Sequence, residues 1–528
     1  MSRSNPSDKR LDHLVVLMFE NHSFDSLLGY LYNPSEAPTF EGVGRGPFSN
    51  PVPDYVAGSG TATVPVHAST NMATPYPDPC EEFPHVNTQL FGTVAPVANR
   101  FSDIDDMQAP FNAPRLTPAP TPAMNGFVQD YTNEFKVSMG RLPRADEYGQ
   151  IMASYTPEQL PVLSTLARRF ACFDHWFCEV PSQTYPNRSF FHAATSSGFV
   201  LNSHPPGKFA TRNDAKTIFN LLEEAGKSWR VYIDPLQILP ATALIHARQL
   251  ERYFPTNFRT IFDFYYDAGQ GSLPNYAFIE PNMFHPHTDM HPHSGTRWAE
   301  GLHLPPPDTI IGGEQLLADV YNALRAAPES GASSWKDTAL LVTFDEHGGT
   351  FDHVPPPPTI PPDDSEGEEG FGFDRLGVRV PTVLISPWVD GGIVVHDSFQ
   401  STSAIRTLRD WWGLGPALTR RDAGAPSFLP FLTRSSMLAP KDWPQVTPRK
   451  QGILSRTEQD LLRRIEVLDS PMEKLERDLL GDALAHEARI QGTRPAADAT
   501  QVSHREAHEH FRRIGSKFFP GVANGRAH

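Results

Sequence analysis

Two apolar runs, each ending abruptly in acid, constrain the fold of this chain more than any other feature. Leu14 to Phe19 (LVVLMF) is followed at once by Glu20, Asn21 and His22. Ala339 to Phe344 (ALLVTF) is followed by Asp345, Glu346 and His347. A continuous Val- and Leu-rich run is the pattern of a strand buried on both faces, as in parallel sheets. Polar residues directly after such a strand lie where open α/β sheets bind ligands, beyond the carboxyl ends. Further strand patterns at 170–177, 229–233, 275–279 and 380–385 alternate with helical patterns at 156–169, 217–227, 314–326 and 402–411. The alternation predicts an α/β core around a mainly parallel central sheet flanked by helices. In the first helical stretch Thr156 is the expected cap and Pro157 the expected opening residue.

Residues 34–75 and 104–126 are rich in Pro, Gly, Ser and Thr and read as long loops. Composition shifts near residue 440. Residues 456–490 carry a helical pattern with charges at i, i+4 spacing. This divides the chain into a catalytic domain over 1–440 and a C-terminal helical extension over 441–528. The extension could pack on the core, cover the site or mediate assembly.

The formal net charge of -16 argues against a nucleic-acid binder. It leaves anionic substrates open, because a bound cation reverses the field inside a pocket. Cys80, Cys172 and Cys178 show no CxxC spacing. They read as thiols without structural duty, with a Cys172–Cys178 pair as the alternative. No apolar run reaches the length of about eighteen residues needed to span a membrane. The N-terminus lacks a small-residue cleavage site after its short apolar run, so the default expectation is a cytoplasmic protein, with export by another route left open.

Four constellations carry chemistry. At the first strand end, Glu20 and Asn21 offer oxygen to a hard divalent cation, although Asn21 or Ser23 could equally cap a helix. Around Thr184, the segment Gln183–Arg188 places a hydroxyl near a guanidinium. A helix starting near Pro186 would aim free N–H groups and Arg188 at an anion, against the plainer role of a capped turn leading into the helix. Ser182 and Ser189 are rival hydroxyls. In the third, Asp345, Glu346, His347 and His353 fall within nine residues, and adjacent acids repel unless a cation joins them. Gly348 and Gly349 permit a tight turn that could bring His353 back over the same centre. The fourth is the loop holding His285, His287, Asp289, His291 and His293, with His85 of similar type elsewhere. Histidines there could ligate metal, bind phosphate or protonate a leaving group. His13 reads as a supporting or surface residue. Aromatic residues at 262–266 and Trp298 could form an apolar or choline-binding rim, against the commoner role as core.

LDHLVVLMFENHSFDSLLGYL, TYPNRSFFHAATS and LLVTFDEHGGTFDHVPPP together resemble the phosphoesterase family of bacterial phospholipases C, plant non-specific phospholipases C and respiratory-burst-inhibiting acid phosphatases. That family belongs to the alkaline phosphatase superfamily, and the resemblance runs from about residue 11 to about 415. It implies an alkaline-phosphatase-like core. It implies Glu20, Asn21, Thr184, Asp345 and Glu346 as metal ligands and Thr184 as nucleophile. His85, His291 and His353 would contact phosphate or assist the leaving group, with His293 or His246 able to take one of those places. Asn187 and Arg188 complete the phosphate-side candidates, with support of the loop as their other role. A Thr nucleophile with an Asp–Glu pair is closer to the phospholipase C branch than to the acid phosphatases, which use Ser and Asp–Asp.

The implied activity is metal-dependent phosphate-ester hydrolysis through a phospho-threonine. The first form is a phospholipase C releasing diacylglycerol and a phosphorylated headgroup; the alternative is an acid phosphatase acting on small monoesters. The C/S-x-P-x-R context of sulfatases is absent at TYPNR. A binding protein that had lost catalysis would lack the nucleophile or the acid pair, and both are present. The oxygen-rich ligand set suits Ca²⁺, Mg²⁺ or Mn²⁺, while a nearby histidine admits Zn²⁺ or Fe. The expected partner is a phospholipid or small phosphate ester, and oligomeric state is left open.

Overall fold

In the computed structural model, residues 11–57, 62–72, 75–114, 120–284, 287–292, 309–449, 472 and 474–523 are described. Among them, eight strands form the central sheet: β1 (His13–Phe19), β2 (Ala171–Phe173), β3 (Trp229–Ile233), β4 (Phe258–Thr260), β5 (Tyr276–Glu280), β6 (Thr338–Phe344), β7 (Thr382–Ile385) and β8 (Ile393–Val395). Their order is β8-β2-β7-β6-β1-β5-β3-β4. The neighbours run parallel except at β7, which is antiparallel to both β6 and β2. β1 and β6 are buried along their whole length at the sheet centre, as their unbroken apolar runs require.

The register decides what the sheet delivers. Phe19 pairs with Phe344, and the Asp345 amide donates to the Phe19 carbonyl at 3.2 Å. Glu20 and Asp345 therefore leave the sheet side by side. β5 flanks β1 on the other side and carries the histidine loop past its end.

Local chemistry moves some helix starts. The helix expected from Thr156 begins at Pro161 and runs to Arg169. Leu160, preceding proline, sits at φ -117°, ψ 65°, outside the helical region that a following proline disfavours. The first free N–H groups of this helix, those of Val162 and Leu163, instead donate at 2.8 Å to the buried carboxylate of Glu314. Thr217 does cap its helix, in a reciprocal pair with Asn220.

Three further helices matter for the site: α1 (Phe83–Phe91), α2 (Phe127–Met139) and α3 (Thr184–Ala193). In the C-terminal region, α4 (Lys474–Gln491) and α5 (His504–Phe518) are described, and 450–471 lie outside the described residues. Leu479, Leu480 and Leu484 of α4 and Phe511 and Ile514 of α5 join the same apolar core as β1 and β6. Each such side chain contributes roughly 1.5–3 kcal/mol of burial. The Asp482 carboxylate also accepts from the Ala210 amide at 2.9 Å. Cys80, Cys172 and Cys178 are all free thiols. No helix among the described residues is long and apolar enough to cross a membrane.

Candidate active site

Asn21 follows Glu20 at φ 49°, a left-handed conformation that asparagine tolerates better than most residues. Its amide lies 3.4 Å from Asp345 Oδ1, which also accepts from the Glu346 amide at 2.9 Å. The glycines after His347 have a definite role. A Cβ on Gly348 would stand 2.2 Å from the Asn21 carbonyl oxygen, and one on Gly349 2.7 Å from that of Cys80. The loop can thus lie against Asn21 at Gly348 and against Cys80 at Gly349 only because both positions lack a side chain.

Thr184 opens α3, with Gln183 as its cap residue. The helix starts two residues before Pro186, which is tolerated because a first-turn N–H has no helical partner. Thr184 Oγ1 lies 3.5 Å from Glu20 Oε2. One turn on, Arg188 Nη2 is 2.5 Å from Glu20 Oε1 and Arg188 Nε is 3.0 Å from Asp345 Oδ2, with all three side chains inaccessible to solvent. Arg188 is a brace between two strand ends rather than an exposed phosphate ligand. Asn187 is likewise occupied. Its Oδ1 accepts from the Glu179 and Val180 amides at 2.9 Å, and its Nδ2 donates to the carbonyls of Val180, Ser182 and Gln183. Of the two roles open to Asn187, holding the loop is the one these bonds describe, since both of its polar atoms are engaged by backbone. The rival hydroxyls are spent too: Ser182 Oγ donates to Val200 O at 2.6 Å and Ser189 Oγ to Thr195 O at 2.8 Å.

The donor set fits a divalent cation. Glu20, Asp345 and Glu346 are three buried carboxylates, of which Glu20 and Asp345 share the one guanidinium of Arg188. Burial pushes Glu20 well above the ordinary range, with Asp345 adding to the shift. Glu346 is raised in the same direction by burial, then by Glu81 and Asp345. Glu346 Oε1 and Asn21 Oδ1 are buried without a hydrogen-bond partner. Orphaned oxygens beside surplus negative charge are what a hard cation satisfies.

Thr184 lines a cavity of about 720 Å³ that His85, His287 and His291 also line. His85 Nδ1 is 3.0 Å from Asp130 Oδ1. Burial alone would lower its pKa, but Asp130, Glu134 and Glu81 push it up to about 9. His291 is similarly opposed by burial and raised to about 10 by Asp78, Asp289 and Glu20. These acids favour the imidazolium form of both rings. His291 Nδ1 donates to the Pro292 carbonyl at 2.5 Å.

His353 is placed elsewhere. Its Nδ1 is 2.6 Å from Asp25 Oδ2, its Nε2 is 3.2 Å from Glu41 Oε1, and its ring stacks on Phe48 with centroids 4.1 Å apart. Arg379 bridges Asp25 and Asp352 at 3.0 Å each. These ion pairs tie His353 to the helix after Ser23, so the glycine turn does not fold it over the acid pair as expected. His293, His285 and Trp298 lie outside the described residues. His13 bonds the Pro274 and Ala332 carbonyls. His246 is buried with neither ring nitrogen bonded, and burial lowers it to about 3. Phe264 belongs to the core, with Phe262 and Tyr265 packed against it.

Sequence reasoning missed a relay between the two halves of the site. His347 Nε2 pairs with Gln89 Oε1 at 2.7 Å, and Gln89 Nε2 donates to Asp130 Oδ2 at 2.8 Å. Asp130 in turn holds His85. The DEHGG segment named His347, but nothing in α2 marked Asp130.

Residues 11–415 match the Phosphoesterase family. Non-specific phospholipase C3 of Arabidopsis thaliana is 32% identical over 440 residues, covering 80% of this chain and 73% of the relative. Non-specific phospholipase C1 of the same plant is 33% identical over 428 residues, covering 79% and 69%. Phospholipase C B of Mycobacterium tuberculosis is 30% identical over 310 residues, covering 52% and 54%. A solved alkaline phosphatase superfamily protein from Vibrio parahaemolyticus overlaps with a TM-score of 0.31 at 11% identity, covering 65% of this chain and 84% of that one, too slight an overlap to carry an argument. The chain is a phosphoric ester hydrolase and belongs to the Phosphoesterase family.

Proposed function

We propose that this chain is a phospholipase C that cleaves glycerophospholipids to diacylglycerol and a phosphorylated headgroup, with Thr184 as nucleophile. The observation that carries this reading is Thr184 Oγ1, 3.5 Å from Glu20 Oε2 and opening into the cavity lined by His85 and His291, whose imidazolium forms their acidic neighbours favour. Similarity to plant and bacterial phospholipases C supports the lipid substrate.

In this reading Thr184 Oγ1 gives its proton to the Glu20 carboxylate, attacks phosphorus, and the bond to the glycerol oxygen breaks. His291, whose imidazolium form its acidic neighbours favour, gives that oxygen its proton and diacylglycerol leaves. Water then attacks the phospho-threonine, giving a proton to His291 while the proton on Glu20 returns to the departing Thr184 oxygen, and the phosphorylated headgroup is freed. His85 balances charge on the phosphoryl oxygens. Arg188 holds Glu20 against Asp345, and Asn187 keeps the loop before Thr184 in place. A divalent cation held by Glu20, Asn21, Thr184, Asp345 and Glu346 would neutralise charge on the nucleophile and on the phosphoryl group.

The test compares phosphatidylcholine with p-nitrophenyl phosphate, using metal-repleted wild type and Thr184→Ala. Phosphocholine release that vanishes in the variant supports the assignment. Monoester cleavage without lipid cleavage moves the function to phosphatase, and full activity in Thr184→Ala refutes the nucleophile.

A further inference from the structure

A second group of ligand-type side chains faces the same cavity and takes no part in the oxygen-rich set around Thr184. Cys80 lies just before α1, His85 lies in the first turn of α1, and Glu134 lies on α2. One ligand atom from each comes within 4.8 Å of the others. All three line the cavity, so an ion has access.

The group is braced as metal ligands are braced. Asp130 holds His85 Nδ1 at 3.0 Å and leaves Nε2 as the ring atom available for binding. A carboxylate on the far nitrogen of an imidazole is the usual support of a ligating histidine, fixing tautomer and direction. Gln89 ties Asp130 back to α1 at 2.8 Å, so the two helices that supply the group are joined beside it. Among the described residues, the other two clusters of three ligand types contain no thiol. Sulfur with imidazole favours a softer cation than do the oxygens of Glu20, Asn21, Asp345 and Glu346.

We propose that Cys80, His85 and Glu134 form a second metal site, selective for a zinc-class divalent cation, whose occupation inhibits the enzyme. Three protein ligands leave a fourth tetrahedral position for water or a substrate oxygen. Binding releases the Cys80 thiol proton and the His85 imidazolium proton to solvent, with no change of oxidation state. Inhibition follows because a metal bound at Nε2 occupies the ring atom that His85 would present to phosphate. That clause rests on the proposed role of His85 at phosphate; the site itself does not.

The experiment titrates the Mg²⁺-repleted full chain with Co²⁺, then with Zn²⁺. Wild type is expected to give a thiolate-to-cobalt charge-transfer band, which Zn²⁺ displaces. Zn²⁺ should inhibit phosphatidylcholine hydrolysis over the same range. Cys80→Ser should keep basal activity, lose the band and require at least about tenfold more Zn²⁺. Asp130→Asn should weaken Co²⁺ binding by about 10- to 100-fold. Glu134→Gln, which retains the thiol, gives an independent reading if Cys80→Ser does not fold, and should also weaken Co²⁺ binding. Absence of the band in wild type, or its persistence in Cys80→Ser, overturns the site. A band without inhibition overturns the inhibitory role and removes His85 from phosphate, leaving Thr184 chemistry untouched.

Discussion

Arg188 Nη2 lies 2.5 Å from Glu20 Oε1, and neither side chain reaches solvent. The same guanidinium bonds Asp345, so one cation on α3 holds the ends of β1 and β6 together. Thr184, the proposed nucleophile, lies four residues earlier and is positioned by the helix that carries this brace.

Removing the brace leaves buried carboxylates unopposed. Arg188→Met is expected to destabilise the fold by roughly 3–5 kcal/mol. If Glu20 and Asp345 share a divalent cation, added Mg²⁺ or Mn²⁺ should restore part of the loss, because it replaces the missing positive charge. Thermal unfolding with and without metal checks this. A deficit that metal does not narrow would separate the acid set from cation binding.

Asn187 offers a different kind of test. Its Oδ1 and Nδ2 bond the backbone from Glu179 to Gln183. Asn187→Ala leaves several buried groups unpaired, at about 1–3 kcal/mol for each one that water cannot reach. The expected kinetic result is a fall in kcat with KM little changed, since the loop before Thr184 loosens without loss of a substrate contact. Steady-state kinetics would contradict this if KM alone rose.

The acid pair and its two strands were legible because buried parallel strands must be apolar throughout, which makes the polar residues after Phe19 and Phe344 conspicuous. Thr184 stood out for the residues around it, and the fold sets its hydroxyl 3.5 Å from Glu20. What sequence concealed depends on partners distant along the chain. Asp130 is one acid on an amphipathic helix until α1 brings His85 and Gln89 to it. Gly348 and Gly349 signalled a tight turn correctly, but the surfaces they accommodate are Asn21 and Cys80. His353 carried a ligand-type side chain next to Asp352, and only the positions of Asp25 and Arg379 show why it turns away. The reversed direction of β7 has no signature in the run VPTVLI, since a buried antiparallel strand is as apolar as a parallel one.

His353 should therefore behave as a structural residue. His353→Gln removes its ion pair with Asp25 and its stacking on Phe48. A lower melting temperature is expected, with kcat/KM close to wild type once the folded fraction is matched. A loss of kcat/KM without a change in melting temperature would return His353 to the reaction.

The His85–Asp130 pair makes a signed prediction about pH. Although burial favours the neutral ring, Asp130, Glu134 and Glu81 hold it charged to about pH 9. A histidine raised from its ordinary pKa of about 6.5 stabilises the fold fully below that pH, and the contribution disappears as pH rises through about 9. Stability should thus fall between about pH 6.5 and 9 by an amount on the order of 3 kcal/mol. Asp130→Asn should flatten that slope. Denaturant titrations across the range, with the metal concentration fixed, measure it.

The boundary expected near residue 440 can be tested through the core. Leu480 of α4 is inaccessible to solvent and shares its apolar cluster with β1 and β6. Lys474, at the start of the same helix, pairs with Glu82 in the cavity wall. If the C-terminal region unfolds with the catalytic region, Leu480→Ala should cost about 2–5 kcal/mol in a single transition. Loss of hydrolysis should then follow loss of fold at the same denaturant concentration. A separate early transition that leaves phosphate-ester hydrolysis intact would establish an independent C-terminal unit, and the contacts of Leu480 with the core would then contribute little to holding the site.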